Sequence, residues 1–272
     1  MNNPYGAKSV LKVETEYAGG ITKLKDSFFT SPFKIAKPFY EHGKPDMKVC
    51  LINVSAGILA GDSYEMSLNM GDYTRTQWTT QSFTRIHKMK EGFAEQNINI
   101  SLGQGAVLYF LPRPVIPFAG SSFYSRTRVD MGKDSVLYYS DILSCGRFRS
   151  GEIFGFDIFS SRIEIYSGEK LIFLDNIKLM PASQDIRGIG FYEGFTHQAT
   201  LLIFGSGDRQ SSAAQSHSFL SECTDIEFGV SQTDSKGIII RILGRSAEKL
   251  MDIITGLCNE AGAFKPFSTP KG

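Results

Sequence analysis

Alternation of apolar and polar residues with a period of two governs most of this chain. In Tyr64-Glu65-Met66-Ser67-Leu68-Asn69-Met70 the apolar side chains share one face of an extended strand, because successive side chains point to opposite sides. Asn97-Ile98-Asn99-Ile100-Ser101-Leu102 and Arg162-Ile163-Glu164-Ile165 repeat the pattern. Residues 106–111, 136–139, 200–204 and 238–243 are instead apolar on both faces, as central strands between two layers would be. The predicted fold class is all-β.

A longer period is superimposed on the short one. Asn69-Met70-Gly71, Ser101-Leu102-Gly103 and Asp130-Met131-Gly132 each close a strand, and an apolar strand soon follows. Their glycines lie 32 and 29 residues apart. Such a period suggests strand–turn–strand units stacked in layers, although three ordinary hairpin turns would produce the same words. On either reading, glycine is expected to supply the positive φ of a tight strand reversal.

Two segments depart from the strand pattern. Ser246 is placed to cap a helix whose apolar stripe is Ala247, Leu250, Met251, Ile254 and Leu257, with Glu248 favourably set in the first turn. Residues 208–223 read as a second helix or, with their Ser/Gln-rich composition, equally as a loop. No Pro/Gly/Ser linker divides the chain, so residues 1–272 are read as one domain with a frayed tail at about 264–272.

Composition narrows the function classes. A chain of 272 residues can bury roughly 70–75% of its unfolded surface and form a core without disulfides or metal. Lys+Arg 29 against Asp+Glu 28 leaves a net charge of +1, which argues against nucleic acid as the main partner. No apolar run approaches the roughly 18–20 residues that span a bilayer, and residues 1–6 lack the features of a signal peptide. The expectation is a cytoplasmic protein without membrane contact. Cys50, Cys145, Cys223 and Cys258 form no C-x-x-C pair and are expected to be free thiols, mostly buried.

No reaction centre is visible as a motif. The loop at residues 55–62 carries Gly57 and Gly61 but lacks Gly-Lys-Ser/Thr, and no helical pattern follows it. There is no G-x-S-x-G elbow. His42, His87, His197 and His217 stand alone, without zinc-ligand spacing. His87 lies between Arg85 and Lys88, where positive charge resists a cation.

The polar words at the strand ends carry more. Taken singly, Asp62 caps a turn, Arg147 and Glu152 pair across one, and Leu111-Pro112-Arg113-Pro114 is a rigid edge. Their order is informative. Ser55-Ala56-Gly57-Ile58-Leu59-Ala60-Gly61-Asp62, then Thr79-Thr80-Gln81, residues 111–118, Gly146-Arg147 and Gly151-Glu152-Ile153-Phe154 together resemble the UreD (UreH) family of urease accessory proteins. Asp26-Ser27-Phe28-Phe29-Thr30-Ser31-Pro32-Phe33-Lys34 is similar to that family's early strand and proline turn. The likeness runs from about Leu11 to Phe204. One departure is the replacement of a proline and a glycine of the family's first loop by Ala56 and Ile58.

The resemblance implies a two-layer, β-solenoid-like stack with a pair of helices near the C-terminus. It also implies a scaffold for nickel-centre assembly that has no catalytic residues. Such a scaffold would bind apo-urease and UreF, and through UreF the GTPase UreG, with no stably held cofactor and transient passage of Ni²⁺. Passage requires oxygen ligands that release the ion, since nitrogen and sulfur cages hold nickel tightly. The residues matched to partner contact or passage lining are Asp62, Gln81, Asp141, Arg147 and Glu152. Two other classes fit the residues less completely: a β-rich enzyme with a spatially assembled site, and a β-rich adaptor unrelated to nickel.

Overall fold

The computed structural model describes residues 8–40, 46–205, 209–235 and 237–260. The predicted frayed tail lies outside them, as does His42. In chain order the first strands are β1 (Ser9–Ala18), β2 (Ile21–Phe29), β3 (Phe33–Ile35), β4 (Phe39–Tyr40), β5 (Met47–Asn53) and β6 (Ser63–Met70). They are followed by β7 (Arg75–Thr80), β8 (Thr84–Ile86), β9 (Ala94–Leu102), β10 (Val107–Phe110), β11 (Val115–Pro117) and β12 (Ser122–Met131). The last are β13 (Val136–Ser144), β14 (Ile158–Ser167), β15 (Lys170–Leu179), β16 (His197–Phe204), β17 (Glu227–Gln232) and β18 (Gly237–Gly244). Two helices, α1 (Arg209–Ser221) and α2 (Ala247–Glu260), interrupt and close this series.

The strands form two sheets. One has the order β15-β14-β12-β9-β6-β1-β2, the other β17-β18-β16-β13-β10-β7-β5-β3 with β4, β8 and β11 beside it. In the first sheet β1, β6, β9, β12 and β14 run parallel, and in the second β5, β7, β10 and β13 do. Antiparallel strands cover both ends of each parallel block: β2 and β15 in one sheet, β3 and β16 in the other. The chain therefore coils, visiting one sheet and then the other and rising one strand per turn. This is the all-β fold expected from the alternation, in the solenoid-like stack that the family resemblance implies.

Registered side chains make the core. Val13, Leu68, Ile100, Val129 and Ile165 sit opposite one another across five parallel strands, all buried. On the facing sheet Val49, Trp78, Phe110 and Tyr139 form the matching row. Its rings stack, with Trp78–Phe110 centroids 6.3 Å apart and Phe110–Tyr139 centroids 5.2 Å apart. Each buried aliphatic contributes roughly 1.5–3 kcal/mol, so the ladder is a large part of the fold's stability.

The two edges of the coil differ. At one, residues 71–74, 103–106 and 132–135 connect β6 to β7, β9 to β10 and β12 to β13 in four residues each. Gly103 N–H donates to Met70 O and Gly132 N–H to Leu102 O, both at 2.8 Å, so these turns lie directly on one another. The sequence expectation of positive φ at Gly71, Gly103 and Gly132 is wrong. The left-handed conformation belongs to Tyr73, Gly105 and Asp134, two residues further on in each turn. The three glycines are needed for space: a Cβ on Gly103 would lie 2.8 Å from the Gly71 carbonyl carbon, and one on Gly132 would lie 2.5 Å from Leu102 O.

The helices cover the outer face of the second sheet. Leu250, Ile253, Ile254, Leu257 and Cys258 of α2 are buried against Tyr109, Tyr138, Ile142, Leu201 and Ile240. The predicted stripe is correct in Leu250, Ile254 and Leu257, while Met251 is only half-buried. Ser246 Oγ accepts from the Lys249 N–H at 3.3 Å, as its capping position requires. The ambiguous segment resolves as α1, whose Ala213 and Leu220 join the same cluster. All four cysteines are free; Cys145 and Cys258 are buried, but Cys50 and Cys223 only half-buried.

Candidate functional site: a cavity between the sheets

At the other edge the connections are long. Residues 54–62, 81–93, 111–121 and 145–157 join the second sheet back to the first and cannot superimpose as the short turns do. The loop at residues 54–62 folds over the sheet edge. Ile58 N–H donates to Arg85 O at 2.8 Å and His87 N–H to Ile58 O at 2.9 Å, a single parallel bridge that drives the Ile58 side chain into the core. Ile58, one of the departures from the family's loop, is thus a buried wall residue. Gly57 has φ 149° and a Cβ there would lie 2.6 Å from Arg85 O, so the backbone passes too close for any other residue.

Beneath this loop, between the sheets, lies a cavity of about 170 Å³. Its walls are apolar where the core continues (Phe33, Trp78, Phe110, Phe159) and polar elsewhere, with Ser55, Thr80, Gln96, Ser125 and Ser161 and the cations Arg85 and Arg113 among the lining groups. Asp141 is the one carboxylate among its lining residues. β13 places it there by simple alternation, since Leu137, Tyr139, Asp141 and Leu143 share the inward face.

Ser161 Oγ donates to Asp141 Oδ2 at 3.2 Å. The Asp141 carboxyl is raised to about 6, chiefly by burial, with the Ser161 hydrogen bond opposing and the nearby Asp175 adding to the rise. The group therefore loses its proton just below neutrality. Beyond it, Asp175 Oδ1 accepts from Arg241 Nη2 at 2.8 Å, while the buried Asp175 Oδ2 and Tyr192 Oη have no protein partner. Burial pushes the Tyr192 hydroxyl far above its usual range, with Asp141 adding to the effect. A string of buried polar groups thus leads from the cavity floor toward Arg241.

The five residues singled out in the sequence do not converge. Asp141 lines the cavity. Asp62 acts on its wall indirectly: Oδ2 accepts from the Leu59 N–H at 2.8 Å and from the Tyr64 hydroxyl at 3.1 Å, fixing Tyr64, which does line it. Gln81 is exposed beside the lining residues Thr80 and Ser82, its backbone N–H held by Leu51 O at 2.8 Å.

Arg147 and Glu152 lie elsewhere, on the outer surface. Arg147 grips Glu152 with two nitrogens, one bond measuring 2.9 Å, and stacks 4.4 Å over the Phe118 ring. The Glu152 carboxylate also accepts from the Ala119 N–H at 3.2 Å, and the Arg147 hydrogen bond holds its pKa below the usual range. This pair staples the 146–152 turn to the neighbouring coil.

Ser161, Asp175, Tyr192 and Arg241 went unnoticed in the sequence. Asp175 carries a legible signal, because it falls in phase with the core-facing Phe173, Ile177 and Leu179 of β15. Among the described residues, no group of three or more His, Cys, Asp or Glu is arranged to hold a metal, and no helix is long and apolar enough to cross a membrane.

Fold and cavity define a class: a two-sheet, coiled β protein with a partly polar cavity between its sheets. Comparison with known proteins specifies it. The family model described as UreD urease accessory protein matches residues 7–264, well past the limit at Phe204 of the sequence resemblance. The chain is 42% identical over 254 residues to the urease accessory protein UreD of Acetivibrio thermocellus, covering 93% of this chain and 97% of the relative. It is 32% identical over 253 residues to the urease accessory protein UreH of Helicobacter pylori strain J99, covering 92% and 94%. UreD of Flavobacterium johnsoniae is 33% identical over 242 residues, covering 88% and 87%. The chain belongs to the UreD family of urease accessory proteins.

Proposed function

We propose that this protein is a non-catalytic scaffold of urease activation, acting in the cytoplasm, and that its inter-sheet cavity is a transit path for Ni²⁺. In this reading it binds apo-urease and UreF, and through UreF it meets the GTPase UreG. Family membership supports the accessory role. The observation that carries the transit path is Asp141, the one carboxylate lining a cavity whose other walls are hydroxyl, amide and apolar groups together with Arg85 and Arg113.

The chemistry suits cargo rather than a resident metal. One carboxylate with hydroxyl neighbours offers a few oxygen ligands, which attract a divalent ion without the tight grip of imidazole or thiolate. An Asp141 that ionises near pH 6 is charged at neutral pH. A passing cation favours that charged form further. The ion is thereby drawn in and released.

The test is genetic and analytical. In cells expressing the urease subunits and the other accessory proteins, removal of this chain leaves urease assembled but nearly free of nickel. Normal nickel content in that strain contradicts the proposal. Co-purification with UreF, UreG and apo-urease tests the docking half, and turnover of a small molecule by the isolated chain would favour the enzyme reading instead.

A further inference from the structure

On the outer surface, segments around residues 83–87, 116–118, 144–150 and 245–248 wall an open groove of about 610 Å³. Four arginines line it, Arg85, Arg147, Arg149 and Arg245, against one carboxylate, Glu248. The groove is therefore locally positive on a chain whose net charge is only +1. Arg147 is committed to Glu152, and Glu248 accepts from Ser246 Oγ at 3.0 Å. Arg85, Arg149 and Arg245 have no carboxylate at ion-pair distance among the described residues. Each comes from a different segment and is exposed. Arg245 is held 4.7 Å over the Phe195 ring, so its guanidinium is oriented before anything binds. The start of α2 faces the same space and adds partial positive charge.

We infer that this groove docks an extended acidic segment of a partner protein, with carboxylates on Arg85, Arg149 and Arg245 and apolar side chains on Phe83, Phe118 and Phe148. The cations are spread around a wide groove rather than gathered at one point, which suits several carboxylates along a chain better than one small anion. All four are arginine, whose planar fork pairs with carboxylates through two hydrogen bonds. The aromatic walls, including the 48% exposed Phe148, give the mixture of arginine and aromatic surface that protein interfaces favour. Phe83 and Arg85 also line the inter-sheet cavity, but Arg149 and Arg245 line only the groove and Asp141 and Ser161 only the cavity. Variants at Arg149 and Arg245 therefore test the inference apart from nickel transit.

The probe is a fluorescein-labelled octapeptide of six glutamates with one leucine and one phenylalanine, titrated against the full chain and followed by anisotropy. Binding is expected to be saturable and weakened about tenfold or more by the double variant R149E/R245E, which sets like charge against the peptide at two positions. R149E alone, on an exposed turn, weakens it about threefold, so the test holds if the double variant misfolds. K170E, which reverses an equally exposed charge at a distant hairpin, leaves binding unchanged. Equal weakening by K170E, or binding untouched by R149E, would overturn the inference. So would displacement of the peptide by submillimolar inorganic phosphate, which would mark a small-anion site.

Discussion

The two edges of the coil solve the same problem in opposite ways. Where β6, β9 and β12 lead into the second sheet, three four-residue turns superimpose, and glycines let one backbone rest on the next. Where the chain returns, the connections are nine to thirteen residues long and enclose a cavity instead of filling it. Regular repetition leaves no room for a site. The irregular edge gives up close packing, and it is there that the lone carboxylate, the wall-forming loop and the arginine groove all lie. Close packing and the candidate sites are thus divided between the two ends of each coil.

Substitutions at the two edges break or sharpen this contrast. The largest effect is expected for Gly103→Val, whose branched side chain has no space against Gly71 and Asp72. Loss of about 3 kcal/mol or more, or failure to fold, should appear in urea denaturation. Near-native stability of that variant would show that the stacked turns are not the rigid end. Gly57→Ala strains the loop at residues 54–62 and should cost about 1–3 kcal/mol, with proteolysis confined to that loop rather than spread over the chain.

Asp141→Asn should have the opposite sign. The folded state raises the Asp141 pKa from 3.8 to about 6, so between those values the folded protein binds more protons than the unfolded one. Its stability therefore falls as pH rises through that window, and the burden is complete above about 6. The asparagine variant should be more stable at pH 7.5 by on the order of 1–3 kcal/mol and no more stable at pH 3. A destabilised variant at pH 7.5 would mean that the ionised carboxylate has a structural partner. The smallest change is expected from Glu152→Ala. It removes an ion pair that is half-exposed on the arginine side and one backbone hydrogen bond, about 1 kcal/mol together.

Much of the frame could be read from one-dimensional patterns. Alternation located the strands because the sheets bury one face or both, and the 32- and 29-residue glycine spacing reported the rise of the coil. The reason for those glycines could not be read, because φ and crowding favour the same residue and only the third dimension separates them. Asp141 is among the residues named from the resemblance, although none of the matched words contains it, and its phase within β13 agrees with an inward position. Asp175 is legible only as an inward position of β15, and its closeness to Asp141, like that of Tyr192 in the loop before β16, arises only in the folded chain. Arg241 is aligned with Asp141 only through β16. The arginine groove escaped for the same reason: its cations lie far apart in the chain and individually read as solvated surface.

The central claim is that Asp141 serves the passage of nickel rather than the architecture. Its most direct test is the nickel content of urease matured in cells carrying Asp141→Ala or Asp141→Asn in place of the native chain, measured per urease subunit alongside the amount of the complex recovered. The account predicts undiminished complex with urease nickel reduced severalfold in both variants. Full nickel loading with either variant, at equal complex recovery, would contradict it.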